Sequence, residues 1–138
     1  MIFLCLIPFI SLIYTGNCRQ QWLWAGNYPQ EFHSPNYPSL YPNNANCTWN
    51  IRKYSYGILE IKFSDFRTEN SYDYVEVFDN DNGYSVEYIS GFVKSKTVRV
   101  RSNSVTVRFH SDSSARLQGF SATYRTSKLI RISTVLVL

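Results

Sequence analysis

The chain is poor in the residues that build helical bundles. Its 138 residues include one Met, and Ala and Leu are few after the first segment, although both are strong helix formers. Aromatic residues are abundant instead, at 17% with 11 Tyr and 9 Phe. Such side chains suit the half-buried faces of β-strands. The composition therefore predicts an all-β fold, and the length predicts one domain.

Histidine is also scarce, with His33 and His110 as the only examples. His110 is followed by Ser111 and Asp112, but neighbouring residues on a strand point in opposite directions, whereas the members of a catalytic triad must converge. His33 lies beside a proline-rich segment with no matching base or metal ligand. No enzymatic activity is predicted.

Runs of one charge are absent. The net charge is +4, and Lys128 and Arg131 supply two of these charges, which leaves two for residues 18–125. A nucleic-acid-binding domain usually has a clustered basic face, which this distribution does not provide. No nucleic-acid partner is predicted.

Charged side chains are missing altogether from the apolar residues 1–14. This segment is too short for a membrane span, which needs about 20 apolar residues. It fits the hydrophobic region of a secretory signal peptide, and the small residues Thr15 and Gly16 follow it. The sequence predicts a signal peptide over residues 1–16, an extracellular protein and no transmembrane segment.

Cysteine is limited to Cys5, Cys18 and Cys47, and Cys5 lies in the segment predicted to be removed. The remaining even pair predicts a Cys18–Cys47 disulfide in an oxidising compartment. A zinc site would need a second nearby pair of Cys or His ligands, which is absent from the sequence. The run Asn46-Cys-Thr48 is an N-glycosylation acceptor, which predicts an exposed Asn46.

Several segments alternate apolar and polar residues with a period of two, and turn residues such as those of Asp79–Gly83 separate them. This pattern is typical of a sandwich or barrel. The residues that it predicts on the inner faces of three strands are Leu59, Ile61 and Phe63; Asp73, Val75 and Val77; and Phe120, Ala122 and Tyr124.

Residues 97–100 and 104–109 also alternate and are separated by a short polar stretch, which predicts a hairpin between them. Residues 34–42 contain three prolines, which cannot donate to a ladder, and are predicted to be an extended loop with packed tyrosines. Residues 126–138 form a tail that is compatible with a disordered end, an extra strand or the beginning of a longer product.

With these segments laid out, residues 18–125 resemble the CUB domain family. The resemblance implies a jelly-roll-like sandwich of two antiparallel sheets, found in extracellular and membrane-attached proteins as a module for protein or glycan recognition. The motifs that carry it are Ser34-Pro-Asn-Tyr-Pro38, Tyr41-Pro42, Cys47-Thr-Trp49, Phe63-Ser-Asp-Phe66, Tyr72-Asp-Tyr-Val-Glu-Val77, Phe109-His-Ser-Asp112 and Gly119-Phe-Ser-Ala-Thr-Tyr124.

Many CUB domains have a second disulfide, and the corresponding positions hold Asn70 and Ser90 here. Many also bind calcium at one end of the sandwich. The resemblance assigns this role to Tyr41, Glu69, Asp73 and Asp112, with a carbonyl from Ser114, and Ca²⁺ prefers such oxygen ligands. The alternative is that Asp73 bonds to backbone N–H groups and to Tyr41 without a metal.

Two functions follow from these observations. The first is a secreted recognition module that binds a protein partner through calcium-ordered loops. The second is a carbohydrate-binding protein acting in defence or at cell surfaces, with Trp22, Trp24 and Tyr28 as stacking platforms. The competing interpretation of these three aromatic residues is that they cover one end of the sandwich.

Overall fold

The computed structural model describes residues 18–129, which form nine strands and no helix. The strands are β1 (Gln21–Ala25), β2 (Gln30–His33), β3 (Asn46–Lys53), β4 (Ile58–Arg67), β5 (Tyr74–Asp79), β6 (Tyr84–Ser90), β7 (Phe92–Val100), β8 (Ser104–His110) and β9 (Gly119–Ser127). Accordingly, no helix in residues 18–129 is long and apolar enough to cross a membrane.

The strands form two sheets that face each other. One sheet has the order β1-β3-β8-β5-β6 and the other has the order β2-β9-β4-β7. All neighbouring pairs are antiparallel except β1 and β3, which run parallel. The predicted all-β sandwich is confirmed, with this one parallel pair as a departure from two purely antiparallel sheets.

The core lies between the sheets and includes the side chains that the period-two pattern placed on the inner faces. Each of the nine predicted residues is buried, including the carboxylate-bearing Asp73. Phe120 on β9 is in contact distance of rings from both sheets, among them Trp49 on β3 and Phe63 on β4. Burial of these apolar side chains is the main favourable term for the fold.

The predicted hairpin between residues 97–100 and 104–109 is wrong. Strand β7 pairs with β4, whereas β8 pairs with β3 and β5 in the other sheet. The segment between them crosses the end of the sandwich, where the Ser102 hydroxyl donates to Asp79 and the Asn103 N–H donates to Asp81 at 3.0 Å. The bond from Ser102 is the main cause that lowers the pKa of Asp79. Contacts with the turn after β5 therefore direct β8 away from β7.

The two ends of the described chain are attached to the sandwich. Cys18 forms the predicted disulfide with Cys47 at the start of β3. At the other end β9 continues to Ser127, two residues beyond the boundary predicted at Arg125. The predicted signal peptide, residues 1–16, and residues 130–138 of the predicted tail lie outside the described residues.

The proline-rich residues 34–42 form no strand, as predicted. Tyr41 at the end of this loop is buried and Tyr37 is half-buried, so both pack against the sandwich. The loop is anchored by a hydrogen bond from the Tyr41 N–H to the Leu117 carbonyl, at 3.0 Å. It thereby brings the Tyr41 side chain to the end of the sandwich where β4 and β8 finish.

Candidate metal centre

Three carboxylates meet at one end of the sandwich. Glu69 and Asp73 lie on the turn between β4 and β5, and Asp112 follows β8. One carboxylate oxygen from each lies within 4.8 Å of those of the other two. The structure therefore brings together the three acidic residues that the sequence resemblance assigned to a metal, although they come from two separate segments of the chain.

Asp73 is buried and its two carboxylate oxygens have different partners. The Tyr41 hydroxyl donates to Oδ2 at 2.6 Å, and the Asp112 N–H donates to Oδ1 at 2.8 Å. These are the bonds that the metal-free alternative predicts. They also fix the direction of the carboxylate, and each carboxylate oxygen has a further lone pair for a cation.

Tyr41 supports this arrangement without carrying charge. Burial and the hydrogen bond to Asp73 raise the pKa of its hydroxyl well above the ordinary value, so the hydroxyl stays protonated and can donate. The hydroxyl also accepts from the Glu69 N–H at 3.1 Å, and the ring packs edge-on against Phe109 with centroids 5.2 Å apart. Tyr41 thus links the core to the Asp73 carboxylate and to the backbone of Glu69.

Glu69 is held beside Asp73 because the turn between them is compact: the Asp73 N–H donates to the Glu69 carbonyl at 3.0 Å. Its Oε2 atom is buried and has no hydrogen-bond partner among the described residues. Partial burial, followed by the negative charges of Asp112 and Asp73, raises the pKa of Glu69. The short spacing between Glu69 and Asp73 does not keep the two carboxylates apart.

Ser114 lies beside Asp112 on the exposed side of the site. Its N–H donates to Asp112 Oδ1 at 3.0 Å, and its hydroxyl lies 3.5 Å from the same atom. These contacts orient the Asp112 carboxylate. The metal-ligand role of the Ser114 carbonyl stays a prediction.

The residues present fit a hard divalent cation. Within residues 18–129 the ion pairs involve Glu87 and Glu60, so no Lys or Arg is paired with the three clustered carboxylates. A buried, unpartnered carboxylate oxygen next to two other carboxylates is costly unless a cation or a donor compensates it. Ca²⁺ takes carboxylate and carbonyl oxygens in flexible geometry and matches this donor set.

Two hydroxyls that the sequence did not assign to the site contact the backbone of one of its residues. The carbonyl of Asp73 accepts from Thr68 Oγ1 at 2.8 Å and from Ser90 Oγ at 2.7 Å. For Ser90, the only indication in the sequence was that it occupies the position of a cysteine in many domains of the family that the sequence resembles. Nothing in the local pattern of Thr68 indicated this contact.

The aromatic residues named for the alternative function are exposed. Trp24 on β1 is 43% exposed and stacks on Tyr54, with ring centroids 5.0 Å apart and an interplanar angle of 20°. The Arg52 guanidinium lies 5.8 Å from the Trp24 ring centroid. Trp22 and Tyr28 are more exposed than Trp24. These side chains therefore present ring surface to solvent.

Asn46 is exposed at the start of β3, as its acceptor motif predicts, and its Oδ1 lies 3.0 Å from His110 Nδ1. Ser111 instead directs its hydroxyl to the Pro42 carbonyl at 2.7 Å, and Asp112 belongs to the acidic cluster. His33 lies on β2, with its Nδ1 3.0 Å from the Ser34 carbonyl. The neighbours His110, Ser111 and Asp112 thus point to three different places.

Comparison with known proteins gives one family. The family model described as CUB domain matches residues 18–124. The embryonic protein UVS.2 of Xenopus laevis is 35% identical over 101 residues, which are 70% of this chain and 20% of that protein. Mouse tolloid-like protein 2 is 33% identical over 99 residues, 67% of this chain and 10% of that protein. The chain thus spans between a tenth and a fifth of the length of these relatives.

Solved structures share the fold. The CUB2 domain of MASP-1, determined bound to Ca²⁺, superimposes with a TM-score of 0.65 at 23% identity, over 75% of this chain and 96% of that one. The CUB1-EGF-CUB2 region of rat MASP-1 gives a TM-score of 0.68 at 25% identity, over 78% of this chain and 43% of that one. The sandwich is therefore of the same type as in these domains.

Proposed function

Because this chain belongs to the CUB domain family, we propose that it is a secreted recognition module that binds an extracellular protein through loops ordered by calcium. The observation that carries the proposal is the convergence of three carboxylates within 4.8 Å, one of which has a buried oxygen with no hydrogen-bond partner among residues 18–129. The MASP-1 CUB2 domain has this fold and binds Ca²⁺, which makes Ca²⁺ the ion to test. The proposal includes no catalytic activity.

Each residue of the centre has a distinct role in this proposal. Glu69, Asp73 and Asp112 hold the cation, and Tyr41 directs the Asp73 carboxylate by its 2.6 Å hydrogen bond. Ser114 contributes a carbonyl. The cation supplies positive charge that offsets the crowding of the carboxylates. It thereby ties the turn after β4 to the loop after β8.

The rim of this centre supports a protein partner. Tyr72 on the same turn is 61% exposed, and Glu69 and Asp112 are only partly buried. Exposed tyrosines often anchor protein interfaces, and partly buried carboxylates can accept charge-assisted hydrogen bonds from a Lys or Arg. We therefore place the binding surface around Tyr72, with a basic side chain of the partner facing the carboxylates.

Affinity capture with the secreted, glycosylated protein tests the proposal. We expect a captured extracellular protein to bind in millimolar Ca²⁺ and to be released by a chelator. Tyr72→Ala should weaken its binding by about tenfold or more, because truncation of a central interface tyrosine commonly costs that much. Tyr84→Ala is the matched control, since Tyr84 is exposed at the other end of the sandwich. Binding of a captured protein that changes neither on addition of a chelator nor in Tyr72→Ala would contradict the proposal.

Carbohydrate binding is the second candidate, and the exposed stack of Trp24 on Tyr54 favours it. Sugars bind flat aromatic surfaces, and Arg52 beside the ring adds hydrogen-bond donors. If this surface binds glycans, a glycan array should give calcium-independent signals that Trp24→Ala abolishes and Tyr84→Ala preserves. A blank array with the wild-type protein would remove this candidate and leave the protein partner.

A further inference from the structure

We propose that the hydroxyls of Thr68 and Ser90 form a latch that positions the Glu69–Asp73 turn for metal binding, in place of the second disulfide of other CUB domains. The inference rests on the proposed calcium site and explains how that site keeps its geometry. It makes Thr68 and Ser90 positioning residues, because neither hydroxyl contacts the carboxylate cluster directly.

Ser90 contacts the turn at two points. Its hydroxyl donates to the Asp73 carbonyl at 2.7 Å and accepts from the Ser71 N–H at 2.9 Å. The Glu69 carbonyl is a more distant neighbour of the same hydroxyl, at 3.4 Å. One side chain at the end of β6 thus bonds to both the middle and the end of the turn.

Thr68 completes the latch from the other side. Its buried hydroxyl donates to the same Asp73 carbonyl at 2.8 Å and accepts from the Gly91 N–H at 3.0 Å. The Thr68 N–H also donates to the Gly91 carbonyl at 3.0 Å. The Asp73 carbonyl therefore accepts two hydroxyl donors, which use both of its lone pairs.

The latch acts on the metal centre through the backbone. Asp73 and Glu69 are joined by the 3.0 Å bond from the Asp73 N–H to the Glu69 carbonyl, so fixing the Asp73 peptide also fixes the position of Glu69. Both carboxylates then face Asp112 before a cation arrives. A site that is organised in advance does not have to order this turn on binding, which increases affinity.

Asn70 occupies the position of the other missing cysteine and lies against the same segment. A Cβ atom placed on Gly91 would approach Asn70 Oδ1 to 2.9 Å, so the Asn70 side chain lies directly over the junction of β6 and β7. The turn is thus attached where a disulfide would attach it, but by bonds that reducing agents do not break. We expect reduction to leave the Glu69–Asp73 turn attached to Ser90 and Gly91.

The test combines amide exchange without calcium and calcium titration by calorimetry. In Ser90→Ala the Ser71 amide should exchange faster. The Kd for Ca²⁺ should rise about two- to tenfold, which corresponds to one of the two hydrogen bonds of the Ser90 hydroxyl contributing its full free energy to calcium binding. Ser90→Thr keeps the hydroxyl and should restore both values. Thr106→Ala is the control. The Thr106 hydroxyl also has two hydrogen-bond contacts, with Asn50 and Asn80, but these lie away from the Glu69–Asp73 turn.

A double variant tests the geometry directly. Asn70→Cys with Ser90→Cys, oxidised with glutathione disulfide, should bind Ca²⁺ at least as tightly as the wild type. After reduction it should bind more weakly than the wild type reduced in the same way, because the Ser90 hydroxyl is gone while the Cys18–Cys47 bond is broken in both proteins.

The readouts separate this proposal from the calcium site itself. Unchanged exchange of the Ser71 amide in Ser90→Ala would overturn the latch, whatever calcium does. Faster exchange with an unchanged Kd would overturn its role in positioning the centre. If the wild-type protein takes up no Ca²⁺, the proposed metal centre fails, and the positioning role fails with it, while faster exchange would then show only that Ser90 holds the turn.

Discussion

Calcium is expected to raise the melting temperature of the wild-type protein and to leave that of Glu69→Gln almost unchanged. A ligand that binds only the folded state stabilises it by about 2.7 kcal/mol at a hundred times its Kd. In a domain of this size each 1 kcal/mol corresponds to a shift of roughly 4 °C. Calcium sites of extracellular modules commonly have Kd values of about 0.1–1 mM. Scanning calorimetry with tens of millimolar Ca²⁺ is therefore the measurement.

The same variant is expected to be more stable than the wild type when calcium is absent. The Glu69 Oε2 atom has no hydrogen-bond partner among the described residues, so removing its charge breaks no bond that the structure records. Partial burial and the neighbouring carboxylates raise the pKa of Glu69, which means that the folded state disfavours the ionised form. At neutral pH Glu69 is ionised in the unfolded chain, and the folded state carries the cost of keeping that charge. Glutamine carries no charge, so Glu69→Gln removes this cost.

Glu69→Gln is thus expected to raise the stability of the calcium-free protein and to remove the stabilisation by calcium. Because these two effects have opposite signs, the experiment is selective. A residue with a purely structural role would lower stability in both conditions. Glu87→Gln is the matched control, because it removes a carboxylate that pairs with Lys96 at 2.9 Å on a different part of the surface. It should keep the full calcium response. A Glu69→Gln protein that responds to calcium like the wild type would remove Glu69 from the ligand set.

The inner faces of the strands were predictable because burial follows a local rule. In a strand every second side chain faces the core, so Val75 and Val77 could be assigned from the sequence alone. The same parity placed Asp73 with them, and a carboxylate on the inner face requires a compensating partner. That requirement indicated a special site at Asp73 before any spatial contact was known.

Strand partners were not predictable in the same way. Residues 97–100 and 104–109 have the alternation and the short connection of a hairpin, yet they belong to different sheets. What separates them is the burial of Ser102 at the end of the sandwich against Asp79, 23 residues earlier in the chain. The roles of Thr68 and Ser90 were hidden for the same reason, since their contacts with the Asp73 carbonyl depend on where two turns meet.

Phe120→Ala is expected to destabilise the protein by about 3–5 kcal/mol, the usual cost of truncating a buried phenylalanine. The Phe120 ring is fully buried and stacks on Phe66 with centroids 5.6 Å apart. It also meets four other rings at centroid distances of 5.4–6.0 Å, those of Phe32, Trp49, Phe63 and Phe109. Because these rings come from both sheets, collapse of the cavity would require both sheets to move.

Equilibrium unfolding in urea measures this loss, and Phe92→Ala is the matched control because its side chain is 74% exposed. The control should change the free energy of unfolding by no more than about 0.5 kcal/mol. Phe120 also borders Phe109, whose ring packs against Tyr41 of the metal centre. We therefore expect Phe120→Ala to weaken calcium binding as well, whereas Phe92→Ala should not. A Phe120→Ala protein that loses less than about 1 kcal/mol would mean that the five surrounding rings repack around the missing side chain.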